Sequence, residues 1–215
     1  MRIIVFGAAG RSGRMIVQEA VDRGIETIAA VRDIGRDRPV IDPRAHIEKL
    51  DASDTAAVAR AATGCTHAIN ATRSPGSIEP DHLVGLHRGL TLGLHKAAVE
   101  HLTIVGGAGS LPCQGEPFYA HPAFPSQALP RGVAHFHLLQ HLKREEQLLR
   151  WLYLVPPPSF SADGPRTARY RLVPPTLESA AARHYAISYK DYALALIDAL
   201  STDPRLSGPH LVTGW

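Results

Sequence analysis

The first fourteen residues, Met1-Arg-Ile-Ile-Val-Phe-Gly-Ala-Ala-Gly-Arg-Ser-Gly-Arg14, constrain the fold more than any other stretch. Ile3, Ile4, Val5 and Phe6 make a short apolar run without polar alternation, as expected of a strand covered on both faces. Gly7, Gly10 and Gly13 follow at once, and Met15, Ile16, Val17 and Ala20 then recur at helical spacing. The pattern predicts strand, tight turn, helix. A helix that starts on glycines straight after a strand leaves several backbone N–H groups unpaired at one point, where the helix dipole also favours negative charge. A phosphate or pyrophosphate fits such a turn. The spacing, G-x-x-G-x-x-G, departs from the G-x-G-x-x-G dinucleotide fingerprint, and three glycines in seven residues also occur in purely structural turns. Position favours the ligand reading, because the motif follows the first strand of an α/β pattern. Gly7 then permits the turn, Gly10 lets a pyrophosphate approach the backbone, and Gly13 lets the helix pack close to the sheet. Ser12 adds a hydroxyl donor, and Arg11 and Arg14 add charge.

Further apolar runs at Ile25 to Val31, His46 to Leu50, His67 to Ala71, Leu102 onward and Trp151 to Val155 alternate with helical segments. The helices are expected from Asp54, a good N-cap, through Ala62, roughly over 81–100 and 133–150, and from Asp191 to Leu200. This order predicts an α/β chain with a doubly wound, mostly parallel, Rossmann-like sheet and helices on both faces. At 215 residues a single domain, 1–215, is expected. Residues 35–45 read as a loop with at most a short helix. The proline-rich stretch 111–131 carries Phe118, Tyr119 and Phe124, and with residues 156–215 it is expected to form the substrate side. Ser159 to Arg171 reads as a turn and a short strand or hairpin, His184 to Ser188 as a strand, and Leu211 to Trp215 as a last edge strand.

In a doubly wound sheet the residue just past the second strand faces the adenosine ribose of a bound dinucleotide. An acid there accepts hydrogen bonds from the ribose, whereas arginine suits a 2′-phosphate. Arg32 holds that place, with Arg36 and Arg38 close behind, so NADP is the first choice. Asp33 keeps NAD open, since a shift of one residue exchanges the roles. Thr72, in the loop after the fourth strand, is a candidate contact on the nicotinamide side. Gly106, Gly107 and Ala108, at the end of the fifth strand, let a planar ring lie close to the backbone. Pro156, which stops the sixth strand, completes the cofactor set.

The formal charge of +3 comes from arginines spread along the chain, with no basic block, which argues against a nucleic-acid partner. Two cysteines, Cys65 and Cys113, without a C-x-x-C, fit free thiols in a reducing compartment. The first strand leaves no room for a signal peptide, and no run reaches the roughly 20 apolar residues of a membrane span. A cytoplasmic monomer or homodimer with no membrane partner is expected. Twelve histidines form no familiar ligand series. His137 and His141 lie one turn apart, but no cysteine or spaced acid completes a site, so no metal is expected.

None of Lys49, Lys96, Lys143 and Lys190 is preceded four positions earlier by tyrosine. The usual tyrosine and lysine proton relay of short-chain dehydrogenases is therefore missing, which argues against oxidation of alcohols or sugar hydroxyls. Flavins, quinones and other conjugated acceptors take hydride at an electron-poor atom and need only stacking and a modest hydrogen bond. Ser110 is the candidate catalytic contact with such a small-molecule acceptor.

Several stretches together resemble the atypical short-chain dehydrogenase/reductases of the NAD(P)H-binding, NADH-flavin reductase group, related to biliverdin IX-beta reductase and NmrA-like proteins. They are Gly7 to Gly13, Glu19-Ala20 with Arg23-Gly24, Ala30-Val-Arg32, Val105-Gly-Gly-Ala-Gly-Ser-Leu111, Trp151 with Pro156, Gly164-Pro-Arg-Thr-Ala-Arg-Tyr-Arg171, and Ile187-Ser188 with Asp191-Tyr-Ala193. The resemblance implies phosphate binding at Gly7, Gly10, Ser12 and Gly13, 2′-phosphate recognition by Arg32, and an acceptor near Ser110. Ala168 stands where that group often has glycine, and Asn70-Ala-Thr-Arg73 differs from its small-residue loop. The resulting expectation is an NAD(P)H-dependent oxidoreductase. Its rivals are a non-catalytic NmrA-like redox sensor and an isomerase or epimerase on the same scaffold.

Overall fold

The four apolar side chains of β1 (Arg2–Phe6) divide by the two-residue period of a strand: Ile3 and Val5 enter one core, Ile4 and Phe6 the other. A strand apolar on both faces has to be covered on both. The computed structural model, which describes residues 1–73, 79–176, 186–202 and 206–214, shows how. In chain order the remaining main strands are β2 (Glu26–Val31), β3 (His46–Lys49), β4 (His67–Asn70) and β5 (His101–Val105). Two short strands, β6 (Pro112–Cys113) and β7 (Glu116–Pro117), pair with each other, and β8 (Arg150–Val155) and β9 (Ser159–Ser161) follow. β10 (Tyr170–Val173), β11 (Ala186–Ser188) and β12 (Gly208–Gly214) complete the set.

Eight strands form the central sheet in the order β10-β12-β8-β5-β4-β1-β2-β3. All its pairings are parallel except that of β10 with β12. On one face Ile16, Val17 and Ala20 of α1 (Arg11–Asp22) meet Ile3 and Val5, beside Tyr192 and Leu196 of α6 (Tyr189–Thr202). The Tyr192 hydroxyl donates to the Leu154 carbonyl at 2.7 Å, so its burial leaves no unpaired polar atom there. On the other face, Val58 of α3 (Thr55–Ala61), Leu90 and Leu94 of α4 (His82–Lys96), and Leu138 and Leu142 of α5 (Leu129–Arg144) cover Ile4 and Phe6. A short helix, α2 (Ile34–Asp37), follows β2. The doubly wound, mostly parallel α/β sheet with helices on both faces is thus the observed architecture.

Several boundaries differ from the sequence reading. α4 ends at Lys96 rather than 100, because Ala98 turns to φ 57° and the Val99 N–H reaches back to the Leu94 carbonyl. α5 starts earlier, with Pro130 in its first turn, and ends at Arg144, where the Glu146 carboxylate accepts the Leu148 N–H and starts a new turn. Of the two readings of Ser159 to Arg171, the short strand holds, as β9, and the hairpin does not: β9 pairs with β11, and β10 with β12. The strand near the C-terminus is not an edge strand either. β12 lies between β8 and β10, and Leu211 and Val212 are inaccessible to solvent, one in each core. The edge falls to β10, where Arg171 is exposed and its neighbours are half-buried. His184, Trp215 and most of the loop expected after Arg73 lie outside the described residues.

Candidate functional site

Because β1, β2, β4, β5 and β8 are parallel, the residues that follow them lie along one edge of the sheet. Strand order reverses between β1 and β4, each of which extends the sheet away from the other, and ligands of open α/β sheets bind at such a switch. The structure brings Gly7–Gly13, Arg32, Thr72, Gly107, Ala108 and Pro156 to that edge.

Gly7 takes φ +72°, and a Cβ there would stand 2.6 Å from the Ala71 carbonyl oxygen and 2.9 Å from the Thr72 nitrogen. The turn therefore lies directly against the end of β4, which only glycine allows. A Cβ on Gly13 would overlap the Gly7 carbonyl oxygen and come within 2.9 Å of Ala8, so α1 can approach the turn only with glycine there. At Gly10 the sole neighbour of such a Cβ among the described residues is the Gly7 carbonyl oxygen at 3.1 Å. Gly10 is the N-cap of α1 and supplies no capping side chain, and the first turn holds no acidic residue. Arg11 and Arg14 are exposed and Ser12 is half-buried. A helix start with no side-chain cap and no acid in its first turn among the described residues, flanked by two arginines, fits a diphosphate.

Arg32 follows β2, is exposed, and no hydrogen bond holds its guanidinium among the described residues. Asp37 and Asp51 lie within electrostatic reach of it. Asp33 is engaged: its carboxylate caps α2, accepting the Arg36 N–H at 3.1 Å. Arg36 is paired with Asp37. The Thr72 hydroxyl and N–H both turn inward to the buried Asn70 Oδ1, at 2.6 and 3.0 Å.

At the end of β5, Gly107 and Ala108 are half-buried, Pro156 is buried, and Ser110 is 4% exposed. The Ser110 hydroxyl donates to the Gly107 carbonyl at 2.8 Å and lies 3.4 Å from the Tyr153 hydroxyl, so it faces into the protein. The Gly107 N–H donates to that same tyrosine oxygen at 3.3 Å, and His135 Nδ1 stands 3.2 Å from it. A Cβ on Gly107 would meet the His135 ring at 2.6 Å, and one on Gly106 the Tyr153 ring at 2.7 Å. The space these glycines free is filled by protein. Burial pushes the Tyr153 hydroxyl up to about 12, and burial, helped by the charge of Arg131, pushes His135 down to about 4. Both are therefore neutral at physiological pH. Sequence reasoning missed this pair, since an aromatic in mid-strand and a histidine on an apolar helix face look like core.

It also missed a network that joins late residues of the chain to early ones. Glu19, on α1, accepts from Arg23 at 2.8 Å and from Arg166 at 3.0 Å, and Arg23 also pairs with Asp198. The Tyr170 hydroxyl donates to Asp198 at 2.6 Å. Buried Asp191, in the first turn of α6, accepts the Thr167 N–H at 2.9 Å, the Thr167 hydroxyl at 2.7 Å and the Ala168 N–H at 2.9 Å. One polar network thus ties residues 166–170 to α1 and α6.

The sequence profile of an NAD(P)H-binding family matches residues 7–203. The chain belongs to that family. The uncharacterized protein YwnB of Bacillus subtilis is 31% identical over 206 residues, 93% of this chain and 92% of that one. A Streptococcus pneumoniae protein suggested to be an NADH-flavin reductase is similar in structure, with a TM-score of 0.79, 28% identity and complete coverage of both chains. A Bacteroides thetaiotaomicron protein suggested to be an epimerase gives a TM-score of 0.84 at 26% identity, covering 99% of this chain and 96% of that one. The match begins at Gly7 and so takes in the glycine turn. Among the described residues, no helix is long and apolar enough to cross a membrane.

Proposed function

We propose that this protein is an NAD(P)H-dependent reductase that delivers hydride to a flavin, a quinone or a similar conjugated acceptor, with NADPH its preferred donor. The observation that carries this reading is the glycine turn, closed to side chains at Gly7 and Gly13 and leading into a helix start with no acid in its first turn. The dinucleotide, when bound, supplies the hydride. The N–H groups of Arg11, Ser12 and Gly13 hold its diphosphate, with Arg11 adding charge. Arg32 meets the 2′-phosphate. Asp33 is committed as the cap of α2, so accepting ribose hydroxyls would compete with that bond, which favours NADPH over NADH.

Thr72, Gly107, Ala108 and Pro156 flank the nicotinamide half. Ser110 and Tyr153 hold the carbonyl and N–H of Gly107, and the position of that turn sets the wall against which the acceptor stacks. Tyr153 and His135 stay neutral at the working pH, so this wall offers hydrogen bonds rather than a strong acid. That suits an acceptor whose own ring spreads the incoming charge. The similarity to the Streptococcus pneumoniae protein supports the same reading.

The test is oxidation of NADPH and NADH, followed with FMN, riboflavin and small quinones, beside direct binding of both dinucleotides. Turnover with at least one acceptor, faster with NADPH, is expected. Tight binding with no turnover across the panel would favour a redox sensor of the NmrA-like kind, and no binding of either dinucleotide would remove both readings.

A further inference from the structure

A second cluster of chemistry-bearing side chains lies away from the sheet edge, where α4 packs on α5. His87 of α4 is fully buried, and the side chains of Glu146 and His141 are 4% and 8% exposed. One ligand-capable atom from each of these three residues lies within 4.8 Å of the other two. His87 Nε2 stands 2.9 Å from a Glu146 carboxylate oxygen, whereas His87 Nδ1 is buried with no hydrogen-bond partner among the described residues. His141 Nδ1 stands 3.0 Å from Glu145, and Arg88 pairs with the same carboxylate at 2.7 Å, so the nearby cation is neutralised and the His141 ring is fixed in orientation.

We propose that His87, His141 and Glu146 bind a divalent transition-metal ion of the zinc class, clasping α4 to α5 and to the turn that leads into β8. Two imidazoles and a carboxylate are a zinc-type ligand set, and a tetrahedral ion with bonds of about 2.0–2.1 Å needs its ligand atoms only about 3.4 Å apart. The three ligand atoms, all within 4.8 Å of one another, close to that spacing when the ion binds. Solvent at the slightly exposed His141 side provides the fourth position. Glu145, accepting from the second nitrogen of His141, is the outer-shell carboxylate that commonly orients a ligating histidine. The site is separate from the dinucleotide turn and does not depend on the function proposed above.

The test uses the full chain without an affinity tag, stripped with EDTA and dialysed against zinc. One zinc per chain by elemental analysis is expected. So is a rise in Tm of about 5–10 °C at a free zinc concentration near 100 times Kd. Cobalt should give the intense visible bands of a tetrahedral nitrogen and oxygen site. His141→Gln and Glu146→Gln should each abolish stoichiometric uptake, while their circular dichroism in EDTA matches the parent. Failure of the parent chain to retain zinc, a weak octahedral cobalt spectrum, or undiminished uptake by both variants would overturn the site. The cobalt spectrum is read on the parent chain, so a variant that fails to fold does not rescue the proposal.

Discussion

Replacing Asp191 with alanine tests whether the segment around Thr167 is held by one carboxylate. Asp191 is 3% exposed and accepts from three donors: the Thr167 N–H, the Thr167 hydroxyl and the Ala168 N–H. Hydrogen bonds to a charged acceptor contribute about 1.5–3 kcal/mol each, but they are not additive here. Thr167 and Ala168 are themselves exposed, so water re-pairs their donors once the carboxylate is gone. The net loss is then close to the worth of one such bond, about 2–3 kcal/mol. For a chain of this size that lowers Tm by about 4–12 °C. Asp191→Asn keeps one acceptor oxygen and should lose roughly half as much. Urea and thermal unfolding followed by circular dichroism measure both. Limited proteolysis should in addition show earlier cleavage between residues 164 and 171. A Tm for Asp191→Ala within about 1 °C of the parent would refute the reasoning, because it would mean the three bonds do no more than water does.

Gly13→Ala puts a methyl group into the Gly7 carbonyl and Ala8. It should cost about 1–3 kcal/mol in chemical unfolding and remove detectable NADPH binding by fluorescence titration. Ala168 holds φ 58°, so Ala168→Gly should raise stability by up to about 1 kcal/mol in urea melts, and a fall instead would show that the turn is relaxed with alanine. Arg32→Ala should weaken NADPH about ten-fold, the worth of one charge-assisted contact at an exposed site, with NADH nearly unchanged. Equal losses for the two dinucleotides would take Arg32 off the 2′-phosphate, and the NADPH loss should shrink at high salt.

How legible each part was in the sequence follows from how far apart its residues lie. The phosphate turn was readable because its chemistry is local: Gly7, Gly10 and Gly13 sit within one strand-to-helix junction, and Gly10 and Gly13 are crowded by Gly7 and Ala8 of the same junction, although the contact that constrains Gly7 comes from distant Ala71. The wall behind Gly107 was not, because it is assembled from Ser110, His135 and Tyr153, which no spacing rule connects. The same holds for His87 of α4 and Glu146 in the turn after α5. His137, which spacing offered as a partner for His141, instead lies 2.8 Å from Asp81. Glu19, Arg23, Arg166 and Tyr170 were visible only as parts of recurring stretches. In space they are one network, with Arg23 pairing to both Glu19 and Asp198. The misreading of the last strand had a usable signal: Leu211 and Val212 are adjacent and both apolar, which marks burial on both faces.

The placement of β12 bears on how the molecule is assembled. β10 precedes β12 in the chain, yet β12 is its only sheet neighbour among the described residues, so β10 lacks that partner until residues 208–214 arrive alongside β8. During synthesis the six-strand portion from β3 to β8 is free to form first, presenting the bare flank of β8 to solvent in the meantime. A shortened or slowly translated tail would leave that flank open to other extended segments, which makes the final strand a guard against aggregation as well as a structural element.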